Sequence, residues 1–273
     1  MEKSESRAAE VAREIEEMNQ QRREVDEKTT ADALTQLETS HSEAYVNIVH
    51  GKDWHRGVVG IVASRMIEQR YRPSIVLSEE DGQLIGSARS VDGIDIHQAL
   101  EDCSDLLQQF GGHTMAAGLS LKVAQLAEFK IRLNDAIAHQ SNHVLPKPVV
   151  RCDREVHINE LSLEAWKELQ QLEPFGPGNP TPVFILKDVT CVRPPRTIGN
   201  QGRHLKITVK DPDGDFPTID AIGWNMGELA PYIKQNMPVD IAFTLVKNTW
   251  KPRGWQNRTE LNLHLKAIRN EKV

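Results

Sequence analysis

The chain has 273 residues, 39% hydrophobic and 26% charged, a composition of ordinary globular proteins with room for one large or two medium domains. Its net charge of −6 excludes a uniformly basic nucleic-acid binder, and no apolar run approaches the roughly 18 residues of a membrane span. The charged N-terminus is unlike a signal peptide, and Cys103, Cys152 and Cys191 form no C-x-x-C pair; they are expected to be reduced thiols of a cytoplasmic protein.

Residues 4–28 carry Ala8, Val11, Ala12, Ile15, Met18 and Val25 at spacings of three and four, which predicts an amphipathic helix. Its apolar stripe needs a partner: either its own domain or, if the segment is a linker helix, something before it. From Ala44 strands and helices alternate. Tyr45–Val49 reads as a strand, Gly57–Tyr71 as a helix stopped by Arg72-Pro73, and Ser74–Leu77 as a buried strand. Asp81-Gly82 signals a hairpin into a short strand, Leu84–Ser90. Ile96–Phe110 is expected to be a helix, followed by a glycine turn, with a further helix over Ala124–Ala138. This is the grammar of a compact α/β domain.

Residues 139–148, polar and ending in Pro-Lys-Pro, read as a linker. Strands dominate after it. A rigid loop, Pro174–Pro182, precedes five predicted strands: Val183–Arg193, His204–Lys210, Thr218–Gly223, Val239–Lys247 and Thr259–Ile268. A short helix, Met226–Gln235, falls between the third and fourth, the layout of an OB-fold barrel. The expected domains are a helical segment over 1–43, an α/β domain over 44–140 and a barrel over 141–273.

Charge is unevenly spread: residues 1–43 balance at −6, residues 44–150 at −2 and residues 151–273 at +2. A polyanion surface is therefore sought in the last third. There Arg193, Arg196, Arg203 and Lys206 form one cationic run. Lys247, Lys251, Arg253 and Arg258 form a second, interleaved with Trp250 and Trp255. Cations that follow a backbone and rings that stack on bases are the needs of a sequence-tolerant single-strand surface; core tryptophans on a solvated rim are the plainer alternative.

Three small constellations in the α/β domain suit phosphates. In Phe110–Gly118, Gly111 and Gly112 let the backbone approach a ligand closely, and His113 offers a ring N–H or a proton-transfer group. In Gly86–Ser90, Ser87 and Arg89 share one strand face and make a hydroxyl–guanidinium clamp. In Asp53–Gly57, Trp54, His55 and Arg56 stand at a strand-to-helix junction, where helix amides favour anions; taken alone, Asp53 as a cap and Trp54 as packing account for it. No acidic or histidine cluster offers a metal site, and no Walker loop or G-x-S-x-G is present.

Asp53–Arg65, Gly86–Ser90 and Phe110–Gly118, together with the Pro174–Pro182 loop and Gly202-Arg203-His204-Leu205-Lys206, resemble the C-terminal half of the RecJ family of single-stranded-DNA exonucleases, within the DHH phosphoesterases. Asn19–Arg23 resembles the end of that family's long interdomain helix. The resemblance implies a mixed-sheet DHH-associated domain followed by an all-β OB-fold barrel, with His113 on the scissile phosphate and Ser87 with Arg89 on a 5′-terminal phosphate. It further implies Mn2+ or Mg2+ held by a DHH domain that this sequence lacks, none bound by this chain, and no cleavage by this chain alone. The partners implied are single-stranded DNA, that DHH domain and single-strand binding protein, in DNA repair and recombination. Two other readings stay open: a non-catalytic single-strand-binding or replication-scaffold module, and a relative acting on short RNA or cyclic dinucleotides, against which the barrel argues.

Overall fold

A computed structural model describes residues 5–40, 43–212, 217–250 and 258–270. The chain divides into two compact units, Met1–Pro148 and Val149–Val273.

The first unit is a five-stranded mixed sheet between two helical layers. Its strands are β1 (Asn47–Lys52), β2 (Ser74–Glu80), β3 (Gln83–Arg89), β4 (Leu107–His113) and β5 (Ala116–Lys122), in the order β1-β2-β3-β5-β4. Only β1 and β2 are parallel; α2 (Val59–Gln69) makes the crossover. Its Val59, Val62, Ala63 and Met66 recur at helical spacing and pack with Val49 and Val76 on one sheet face. The opposite face, built from Ile75, Leu77, Leu84, Ala88, Ala117 and Leu121, is covered by α3 (Ile96–Glu101) and α4 (Leu126–Gln140), chiefly through Phe129, Leu133 and Ile137. Each such side chain contributes about 1.5–3 kcal/mol on burial.

The first helix, α1 (Glu5–Thr39), runs longer than the sequence pattern predicts. Its last third docks: Ala33 and Leu37 are buried in the α2 layer, and the buried Asp26 pairs with Arg65 at 2.7 Å. Ile15 and Met18, further back, are 54% and 68% exposed.

The expected helix over Ile96–Phe110 is corrected. Leu100, Cys103 and Leu106 are all buried at helical spacing, but α3 stops at Glu101, a 3-10 turn spans Ser104–Leu106, and Leu107 opens β4. The glycine turn is likewise a strand: Gly111, Gly112 and His113 end β4, and the reversal is made by Thr114 and Met115. Residues after α4 stay with the first unit, since Tyr45 Oη donates to the His143 carbonyl and Arg72 to that of Pro146.

In the second unit β6 (Arg154–Glu155) and α5 (Leu163–Gln170) precede a closed barrel. Its strands are β7 (Phe184–Cys191), β9 (His204–Lys210), β10 (Ile219–Gly223), β11 (Pro238–Trp250) and β12 (Arg258–Arg269), with β8 (Arg196–Ile198) added beside β9. Pairing runs β7-β9-β10-β12-β11 and back to β7, with β10 and β12 parallel. Five strands closed this way, with a 3-10 turn at Gly227–Tyr232 between β10 and β11, form an OB-fold barrel. Leu186, Val189, Val209, Ile241, Phe243 and Leu263 fill it.

Candidate functional site

On the face that α2 packs against, the helical layer covers β1 and β2 and reaches only the near side of β3. Over β5 and β4 the face is left to small and polar residues. The ladder register sets them out in rows. Arg89, Ala116 and His113 are cross-strand neighbours, and so are Ser87, Gly118 and Gly111. Period-two alternation puts both rows on one side, while Ala88 and Ala117, between them, point into the core.

Arg89 is held. Its Nη1 donates to Ser87 Oγ at 2.7 Å and to the Ala88 carbonyl at 2.8 Å. The first turn of α2 lies against this pair: a β-carbon at Gly60 would stand 2.7 Å from Arg89 Nη2 and 3.3 Å from Ser87 Oγ. No side chain caps that helix start. A planar guanidinium, a hydroxyl and the positive end of a helix converge on one spot, which suits a phosphate.

His113 is exposed two strands away, about 10 Å in strand spacings. The floor between is nearly bare. A β-carbon added at Gly111 would meet nothing within 4 Å, and one at Gly118 only the Gly86 carbonyl at 3.9 Å; these glycines let a ligand lie against the sheet backbone. Gly112 has a different task. With φ of 153°, a β-carbon there would stand 2.3 Å from the Ala116 carbonyl oxygen, so only glycine allows the two strands to close at His113. The turn beyond is pinned: the Thr114 hydroxyl donates to Asp95, and the Ile96 and Ser90 amides donate to the carbonyls of Thr114 and Met115.

The Asp53–Gly57 group does not join this site as a whole. Trp54 is 8% exposed and packs beneath Gly51 in the α1/α2 layer, so its indole serves the core. His55 Nδ1 accepts from the Gly57 amide. Arg56 reaches the edge of an open trough of about 900 Å³ that continues down the bare face, while ion-paired to Glu80.

On the barrel, Arg193, Arg196 and Arg203 are exposed. Lys206 is paired with Asp220 at 2.6 Å. Burial would raise the Asp220 pKa, but hydrogen bonds from Lys206 and Thr208 and nearby cations outweigh it and hold that carboxylate below its ordinary range. Lys247 stands 4.3 Å over the Trp166 ring, a cation–π contact at the α5 side. Trp250 and Arg258 form the last pair of the β11–β12 ladder; Lys251, Arg253 and Trp255 lie outside the described residues.

The sequence reading missed Trp224. It follows β10, is 50% exposed, and sits between the His204 and His264 rings at centroid distances of 4.7 and 5.8 Å, each edge-on. Lys206, Ile222 and His264 form a cross-strand row beside it. An exposed ring between two imidazoles, on the outer side of the second and third barrel strands, has the chemistry that base stacking needs. The available signal was alternation: positions 220, 222 and 224 share the outer side.

Among the described residues, no group of three or more His, Cys, Asp or Glu could hold a metal ion, and no helix is long and apolar enough to cross a membrane.

Residues 42–139 match the DHHA1 domain model and residues 152–267 the RecJ OB domain model. The chain is 34% identical over 248 residues to the single-stranded-DNA-specific exonuclease RecJ of Bacillus subtilis, covering 90% of this chain and 31% of that protein. The Escherichia coli exonuclease of the same name is 33% identical over 230 residues, 79% of this chain and 38% of its own length. The crystal structure of Thermus thermophilus RecJ with Mg2+ superposes with a TM-score of 0.78 at 27% identity, over 99% of this chain and 39% of that one; the Mn2+ form gives 0.77. The chain thus spans a third to two-fifths of the length of these relatives.

Proposed function

Because this chain belongs to the RecJ family, carrying its DHHA1 and OB domains, we propose that it is the substrate-binding part of a 5′-to-3′ single-stranded-DNA exonuclease of DNA repair and recombination, working in the cytoplasm. The observation that carries the reading is the row pair on the first unit: Arg89 with Ser87 against the start of α2, and His113 across a floor of Ala116, Gly111 and Gly118.

In this account Arg89 and Ser87 grip the phosphate at the 5′ end, and the α2 amides add to the anion's field. His113 donates a hydrogen bond to the phosphate being cut. The barrel, in the second unit, holds the strand: Arg193, Arg196 and Arg203 meet its backbone, and Trp224 stacks on a base. The cations and rings of Trp250, Lys251, Arg253, Trp255 and Arg258 are proposed as further contacts to the strand.

The Thermus relatives carry Mg2+ or Mn2+. The described residues of this chain offer no ligand set for such an ion, so phosphodiester hydrolysis is assigned to a DHH domain outside this chain. That domain, single-stranded DNA and single-strand binding protein are the proposed partners. The test is a cleavage assay of this chain with Mn2+ and 5′-phosphorylated single-stranded DNA. Binding without release of mononucleotides is expected; metal-dependent release above a mock preparation overturns the assignment.

A further inference from the structure

The trough beside the phosphate grips has a chemistry of its own. Below the Ser87–Gly118–Gly111 row the next cross-strand row is Ile85, Ser120 and Gln109, followed by Gln83 opposite Lys122. Gln83, Ile85, Gln109 and Ser120 line the open space of about 900 Å³, and the bare Gly111 and Gly118 backbone forms its upper floor. Its one arginine, Arg56, is already paired with Glu80. Among the described residues, neither the Gln83 nor the Gln109 carboxamide has a side-chain hydrogen-bond partner.

A phosphate has little reason to settle here, because Arg89, whose guanidinium carries no carboxylate partner among the described residues, and the helix start lie two rows above the Ile85–Ser120 pair. A flat heterocycle does. The glycine floor admits a ring face against the backbone, and Ile85 gives it an apolar contact. A carboxamide carries both a donor and an acceptor and can turn over to match any base edge. Two unpaired amides therefore offer hydrogen bonds without selecting a sequence.

We infer that this trough is a nucleobase subsite, taking the base of the nucleotide whose phosphates are held at Ser87–Arg89 and His113. The inference rests on the phosphate-binding role proposed above. It adds that a terminal nucleotide is bound by its base as well as by its phosphates, so a 5′ nucleotide that has lost its base binds more weakly.

The probes are thymidine 3′,5′-bisphosphate, its adenine counterpart and the abasic deoxyribose 3,5-bisphosphate, titrated into this chain by calorimetry. Wild type is expected to bind both base-bearing probes alike and about tenfold more tightly than the abasic one, the worth of one to two net hydrogen bonds. Gln109→Ala, and separately Gln83→Ala, each removing a carboxamide that lines the trough, should lower the base-bearing affinities to the abasic level and leave the abasic affinity unchanged. Arg89→Ala should weaken all three. If wild type binds the abasic probe as tightly as the others, the base subsite is wrong and the phosphate grip stands. Should Arg89→Ala leave all three unchanged, or wild type bind none, the phosphate reading fails and the subsite with it.

Discussion

Arg89 and His113 are neighbours of the same residue: both are register partners of Ala116, one on each side of β5. The two groups are thus placed by one ladder rather than by two loops, and only a methyl group stands between them. A one-residue slip of β5 would turn Ala116 and Gly118 to the other face and take away the floor between the two groups.

Gly60 separates function from stability. Its added β-carbon would meet the far end of the flexible Arg89 side chain at 2.7 Å, not backbone. Gly60→Ala is expected to unfold at nearly the wild-type temperature and to lose phosphate affinity, because the guanidinium is pushed from Ser87. Calorimetric titration with a nucleoside bisphosphate beside a thermal melt reads both quantities.

Gly112→Ala should do the opposite. The strained φ and the clash with the Ala116 carbonyl predict a loss of about 1–3 kcal/mol in the first unit, measured by denaturant unfolding. His113→Ala, at an exposed position, should leave that stability unchanged. Equal destabilisation by both would contradict the roles given to them.

Much of the barrel was legible because its strands alternate cleanly: His204–Lys210 is read correctly to the residue, and β7, β10 and β12 to within one or two. The Ser87–Arg89 pair was legible for the same reason. The stretch Ile96–Phe110 was not, since Leu100, Cys103 and Leu106 keep a helical period through a helix turn, a 3-10 turn and a strand start. Tryptophans mislead without the fold, because type says nothing of side: Trp54 is core and Trp224 is surface.

On the barrel, Trp224→Ala is expected to cost about 1–3 kcal/mol of single-strand affinity. Binding should weaken with salt, log affinity falling with log salt by about 0.7 per phosphate contacted. Fluorescence anisotropy over a salt series checks both; unchanged affinity would return Trp224 to an incidental surface ring.

Stability should also depend on pH between the histidine and carboxylate ranges. Burial, aided by Lys130 at His50 and by Lys266 at His264, lowers both imidazole pKa values below the ordinary 6.5, although Glu79 opposes this at His50. The unfolded chain then binds protons that the folded chain does not, so stability is full above pH 6.5 and falls as pH drops below it. Thermal melts from pH 7.5 to 5 should show the decline in both units, and His264→Gln should reduce it in the barrel alone.

The most direct measurement is end discrimination by short single strands bearing a 5′-phosphate or a 5′-hydroxyl, bound to this chain and to its Arg89→Ala form. Loss of a charge-assisted hydrogen bond costs roughly 1.5–3 kcal/mol, so wild type should prefer the phosphorylated end by about one to two orders of magnitude and Arg89→Ala should bind both ends alike. A wild type indifferent to the end, or an Arg89→Ala protein that keeps the preference, would contradict the account.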